Sequence, residues 1–99
     1  MRLREIAYSR SGDKGDTANV CVFPYKEEHW PLIREKLTAE RVKEFFSRTV
    51  KGSVERYEFP NLKGLNFVLN GAMGGAYSAS LMIDPQAKSY QSFILDMEI

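Results

Sequence analysis

Helical periodicity in this chain is confined to one stretch, residues 31–46, and strand-like patterns lie on both sides of it. Before it, Leu3–Tyr8 and Val20–Phe23 read as strands. After it, Val54–Phe59 alternates apolar and charged residues, as a strand does with one face in a core. Leu65–Asn70 is apolar enough for a central strand, and Ser80–Asp84 and Ser92–Ile99 read as two more. Strands with helices segregated in one place predict an α+β domain. Its sheet is expected to be mostly antiparallel, with the helix pair packed on one face.

Pro31 fits the first turn of a helix, where a missing N–H costs nothing. Leu32, Ile33 and Leu37 follow at helical spacing, so a short helix is predicted over 31–37. Thr38 is a natural N-cap for a second helix, with Glu40 in its first turn. Val42, Phe45 and Phe46 form its apolar stripe, and Lys51-Gly52 ends it. The Tyr25, Trp30, Phe45 and Phe46 set is expected to be core. Asp84–Lys88 reads as a turn, with Pro85 pre-set for its second position.

Ninety-nine residues suffice for one domain with one modest core, so residues 1–99 are expected to form a single unit. The hydrophobic fraction, 43%, is that of a folded soluble protein. Fourteen basic and thirteen acidic residues leave a net charge of +1, which argues against nucleic acid as a partner. The same near-neutrality leaves little repulsion to oppose self-association, so a homo-oligomer is expected for the isolated chain, with the apolar last strand lying on an edge. No apolar segment approaches the roughly 18 residues that span a membrane, and the start lacks a signal-peptide run. A cytoplasmic protein without a membrane partner is the expectation. Cys21 is the single cysteine and lies in an apolar strand pattern, where an inert thiol is expected.

The candidate site is the polar run Ser9–Asn19. A hairpin turn needs only about two to five residues, so the run reads as a loop longer than chain reversal requires. Glycines 12 and 15 allow backbone N–H groups to approach an anion, and Lys14 adds charge. Asp13 and Asp16 are candidate acid–base groups, with Lys14 beside them. The competing reading is a structured loop in which Asp13, Asp16 and Thr17 cap backbone N–H groups. The run is not a phosphate loop, because its lysine lies between the glycines and no helix follows. Two carboxylates make a poor metal site, so no protein-only metal site and no cofactor are expected, the alternative being magnesium carried in by a phosphate-bearing ligand. Gly71–Gly75 is a second glycine-rich segment; it either lets backbone approach a ligand or marks a bulge. His29 lacks a visible partner for general-base chemistry.

The run Ser9–Asn19 resembles the opening motif of the C-terminal domain of acyclic terpene utilisation protein A. Leu37–Val42, Val54–Tyr57, Pro60–Leu62 and Leu65–Leu69 are similar to successive later segments of that domain. So are Gly71–Gly75, Ser80-Leu81 and Asp84–Lys88. Ala76 stands where the family often continues a glycine run, and Ala87 where its turn tends to carry glycine. The resemblance implies a ferredoxin-like fold. It also implies a role in the bacterial breakdown of branched acyclic isoprenoids and similar acids as CoA thioesters. In many relatives the domain follows a much larger one, so a larger partner subunit is expected here.

The resulting expectation is an accessory domain, not catalytic alone, that contributes the loop to a shared site for an anionic or acyl-CoA-type ligand. The ligand-binding set is Ser11, Gly12, Asp13, Lys14, Gly15, Asp16, Thr17 and Asn19, with Asn66, Gly74 and Gly75. The alternatives are a self-sufficient small enzyme on an acyl-CoA or hydroxy acid, using Asp13 or Asp16, and a purely structural oligomerising domain.

Overall fold

The computed structural model describes residues 1–15, 17–72 and 90–99, with Asp13 and Lys14 described by their backbone. Four antiparallel strands form one sheet in the order β1-β2-β4-β3: β1 Ala7–Lys14, β2 Thr17–Pro24, β3 Val54–Glu58 and β4 Leu65–Asn70. Helices α1 (Trp30–Lys36) and α2 (Ala39–Phe45) lie between β2 and β3 in the chain. The α+β architecture is the one predicted.

Strand alternation divides the sheet into two unlike faces. Ala18, Val20 and Val22 of β2 and Leu65, Phe67 and Leu69 of β4 are all fully buried, in one core with Ile33, Leu37 and Val42 from the helices. Burying each large side chain of this kind contributes roughly 1.5–3 kcal/mol. β3 joins on the same side, where the Arg56 guanidinium donates to the Leu37 carbonyl at 3.2 Å and Glu58 takes Arg34 at 3.3 Å. The helices therefore sit on that face. The intervening residues, among them Asn19, Cys21, Asn66 and Val68, are only half-buried, and no described element packs over them.

The α1–α2 junction follows the sequence closely. Pro31 is in the first turn of α1, and the Thr38 hydroxyl accepts from the Arg41 N–H at 3.1 Å to cap α2. α2 stops at Phe45, before the expected Lys51-Gly52, and the chain continues through turns. Phe46 is buried and Trp30 packs against the core, but Tyr25 and Phe45 are exposed, so the predicted aromatic core set is corrected at those two positions.

Three further expectations are corrected. The first strand does not start at Leu3, because Leu3–Glu5 forms a 3-10 turn. The polar run is not a long loop: Ser9–Lys14 lies in β1 and Thr17–Asn19 in β2, paired without interruption from Ala7↔Pro24 to Lys14↔Thr17. Its polarity reflects an edge strand rather than a loop. The reversal is confined to the two residues between Lys14 and Thr17, where Gly15 takes a φ of 63°. The last segment is not a strand on an edge. Residues 90–93 are helical, Ile94–Asp96 is a 3-10 turn, and only one bridge, Arg2↔Glu98, is strand-like. Tyr90, Ile94 and Met97 are its buried residues, a helical spacing that the apolar run 92–99 conceals. Ser80–Asp84, the turn at 84–88 and most of the second glycine segment lie outside the described residues. No helix among the described residues is long and apolar enough to cross a membrane.

Candidate functional site

The predicted site residues separate onto the two faces of the sheet. Ser11 opposes the buried Val20 and lies on the helix side. Its hydroxyl and its backbone N–H both donate to Gln91 Oε1, at 3.0 Å each. Ser9 Oγ donates to the Gln91 carbonyl on the same side. Ser11 is thus engaged in holding the 90–93 turn against β1. Asp13 and Lys14 oppose Ala18 and Thr17 in the ladder, Gly15 is in the turn, and Asp16, Gly74 and Gly75 lie outside the described residues.

Gly12, Asn19 and Asn66 come together on the open face. Two registers define the neighbourhood, Gly12↔Asn19↔Val68↔Glu55 and Arg10↔Cys21↔Asn66↔Tyr57. Asn19 Nδ2 donates to Asn66 Oδ1 at 3.4 Å, and the Cys21 thiol donates to the same oxygen at 3.4 Å. These are long, weak bonds that leave the amides much of their hydrogen-bonding capacity. A Cβ at Gly12 would sit 3.4 Å from Asn19 Oδ1, an ordinary contact that the cluster would tolerate. Asn19 and Asn66, both in the ligand-binding set expected from the sequence, meet here.

Burial pushes the Cys21 thiol above its ordinary value, and the Asn19 side chain offsets this in part. A nucleophilic cysteine needs the opposite shift. On the β3 side Tyr57 donates to Glu55 Oε1 at 2.5 Å; this bond and then the carboxylate charge raise the phenol. Glu55 Oε2 also takes Asn70 Nδ2 at 3.3 Å. The open face is a surface of neutral amides edged by ionised groups, suited to recognition. Among the described residues no three His, Cys, Asp or Glu side chains converge as metal ligands.

The end of the open face remote from the hairpin tip carries residues that sequence reasoning missed. Tyr8 lies between Phe23, on which it stacks with centroids 5.5 Å apart, and Tyr25, whose ring is tilted against it at 5.3 Å, and Phe23 stacks on Phe59 at 5.6 Å. Arg10 and Lys63 line the groove beside these rings. Alternation of Tyr8 with Arg10, and of Cys21 with Phe23, would have placed them on one face had 9–19 been read as strand.

The two glycine-rich segments begin at the same end of the sheet. Thr17 pairs with Asn70, and Gly71, at φ 70°, follows directly. Gly71 faces Gly52, and a Cβ on it would lie 2.9 Å from the Gly52 nitrogen.

A family model described as the AtuA ferredoxin-like domain matches residues 1–99. Searches of curated proteins and of solved structures gave no match.

Proposed function

This chain belongs to the AtuA ferredoxin-like domain family over residues 1–99, and from that premise we propose that it is an accessory domain. It docks on a larger chain of the acyclic-terpene-utilisation type through the open face of its sheet. At the tip of the β1–β2 hairpin it presents Lys14, with the backbone N–H of Gly15 in the turn, to an anionic or acyl-CoA-type ligand in a shared site. Asp13 and Asp16 orient the lysine or a bound water. The reaction served is the breakdown of branched acyclic isoprenoids or related acids, and the chain is not catalytic by itself.

The observation that carries this reading is the contrast between the two faces. One is sealed by α1 and α2, while the other presents Asn19, Cys21, Asn66 and Val68 half-buried, with Tyr57 exposed beside them. A sheet face that no described element covers, with Val68 and Tyr57 set among neutral amides, supports an interaction site. Neutral amides with unused donors and acceptors supply specificity there at a lower desolvation cost than charged groups.

Native mass spectrometry of the chain mixed with the larger chain tests the reading. A one-to-one complex is expected, and Val68→Arg should abolish it without lowering the melting temperature. Failure to form the complex, or a complex indifferent to Val68→Arg, would overturn it. A homo-oligomer dissolved by the same substitution would assign the face to a second copy instead.

A further inference from the structure

The aromatic end of the open face carries a second inference, independent of what docks on the Asn19–Asn66 region. Tyr25, Tyr8, Phe23 and Phe59 form a continuous run of four rings, with neighbouring planes inclined by 38°, 29° and 13°. The run ends on Tyr25, which is 65% exposed, and Tyr8 is 40% exposed. Exposed stacked rings offer a flat apolar surface that one more ring would extend. A groove of about 540 Å³ lies over them, with Leu62 and Asn61 from the β3–β4 connection on its far side. That volume is within the roughly 300–1,000 Å³ of small-molecule sites.

Arg10 and Lys63 reach the groove from opposite walls, β1 and the β3–β4 connection, and neither has an ion pair among the described residues. Arg2, Arg4, Arg34 and Arg56, by contrast, all have carboxylate partners. Glu27 on the rim leaves the groove a single excess positive charge. Two cations beside a ring stack attract an anion that carries a flat ring. The lone carboxylate disfavours a polyanion.

We propose that this groove binds a small anion bearing a flat aromatic ring, the ring stacking on Tyr25 at the end of the run and the phosphate or carboxylate held between Arg10 and Lys63. A nucleoside monophosphate and a simple aryl phosphate share this chemistry. Asn61 is placed to bond the ring edge or a sugar hydroxyl of the former.

The test is titration of the isotopically labelled chain with AMP, phenyl phosphate, adenosine and inorganic phosphate, read by amide chemical shifts. AMP, phenyl phosphate or both should give saturable shifts clustered at residues 8, 10, 23, 25 and 61–63. Tighter binding of AMP would identify a nucleotide source, and equal or tighter binding of phenyl phosphate a simple aryl anion. Arg10→Ala with Lys63→Ala should weaken binding at least tenfold, as should Tyr25→Ala, whose exposed ring is no part of the core. The unchanged spectrum elsewhere checks folding directly. ATP should bind more weakly than AMP, and Glu27→Gln should remove that difference. The proposal is overturned by absence of saturable shifts with either ring-bearing anion, or by shifts lying elsewhere. It is equally overturned if inorganic phosphate or adenosine binds as tightly as both together. Those failures leave docking on the Asn19–Asn66 region intact, since no docking partner is in the sample.

Discussion

Gln91 Oε1 accepts two hydrogen bonds from Ser11, one from its backbone N–H and one from its hydroxyl, each 3.0 Å long. Through this pair the 90–93 turn covers the outer side of β1, which among the described residues is an edge strand of the sheet. Covered edges resist unwanted strand pairing. The bond pair gives Ser11 a structural duty on the helix side, while its neighbour Gly12 lies on the open face. Gln91→Ala should cost about 1–2 kcal/mol, the usual range for partly buried bonds of this kind. It should also accelerate exchange of the Ser11 amide. Denaturant unfolding and hydrogen exchange measure the two effects, and unchanged exchange at Ser11 would refute the edge-covering role.

Gly52 and Gly15 make opposite demands on a substituted alanine. A Cβ at Gly52 would meet the Asn70 carbonyl oxygen at 2.6 Å and its carbon at 2.9 Å, both backbone atoms of β4. At Gly15 nothing lies within 4 Å, and only the φ of 63° opposes a side chain. Gly52→Ala should therefore cost about 2–3 kcal/mol through forced backbone displacement. Gly15→Ala should cost about 1 kcal/mol through left-handed strain alone. Equal losses in a denaturation comparison would contradict the packing around Asn70.

The Cys21 thiol yields a pH prediction whose sign is fixed by burial. Its folded pKa is raised, so the folded state favours the neutral thiol. Well below the unfolded value, about 8.5, both states hold the proton and stability is unaffected. As pH rises past that value the unfolded chain loses its proton first, and stability falls. Alkylation of the native protein at pH 8 should be slower than that of the urea-unfolded chain. Asn19→Ala removes the bond that offsets burial and should slow it further. A native thiol reacting faster than the unfolded one would show that the site activates Cys21.

The parts of the fold legible in the sequence are those where one physical signal stands alone. Thr38 reads as a cap because a hydroxyl before a helical stripe has an obvious N–H to accept, and it does cap Arg41. Leu65–Asn70 is apolar on alternate positions and is the strand predicted, to the residue. The hairpin was hidden because Ser9–Lys14 is rich in serine, glycine and aspartate, residues of low strand propensity that an edge strand tolerates. The terminal helical turn was hidden because a short apolar run fits either period. Only the burial of Tyr90, Ile94 and Met97 separates the two. Asn66 was recognisable as a polar residue inside a strand, whereas Asn19 was read as the end of a loop. Arg10 and Lys63 were not recognisable as neighbours, because their groove depends on the β1 register and on where the β3–β4 connection folds back.

Hydroxyl-radical footprinting of the chain, alone and with the larger acyclic-terpene-utilisation-type chain, tests the central claim most directly. Tyr57, Val68 and Cys21 report on the open face, and the exposed Phe45 and Phe93 report on surfaces away from it. Docking through the open face predicts protection of the first three and unchanged labelling of Phe45 and Phe93. Protection of Phe45 or Phe93 with Tyr57, Val68 and Cys21 unchanged would contradict it.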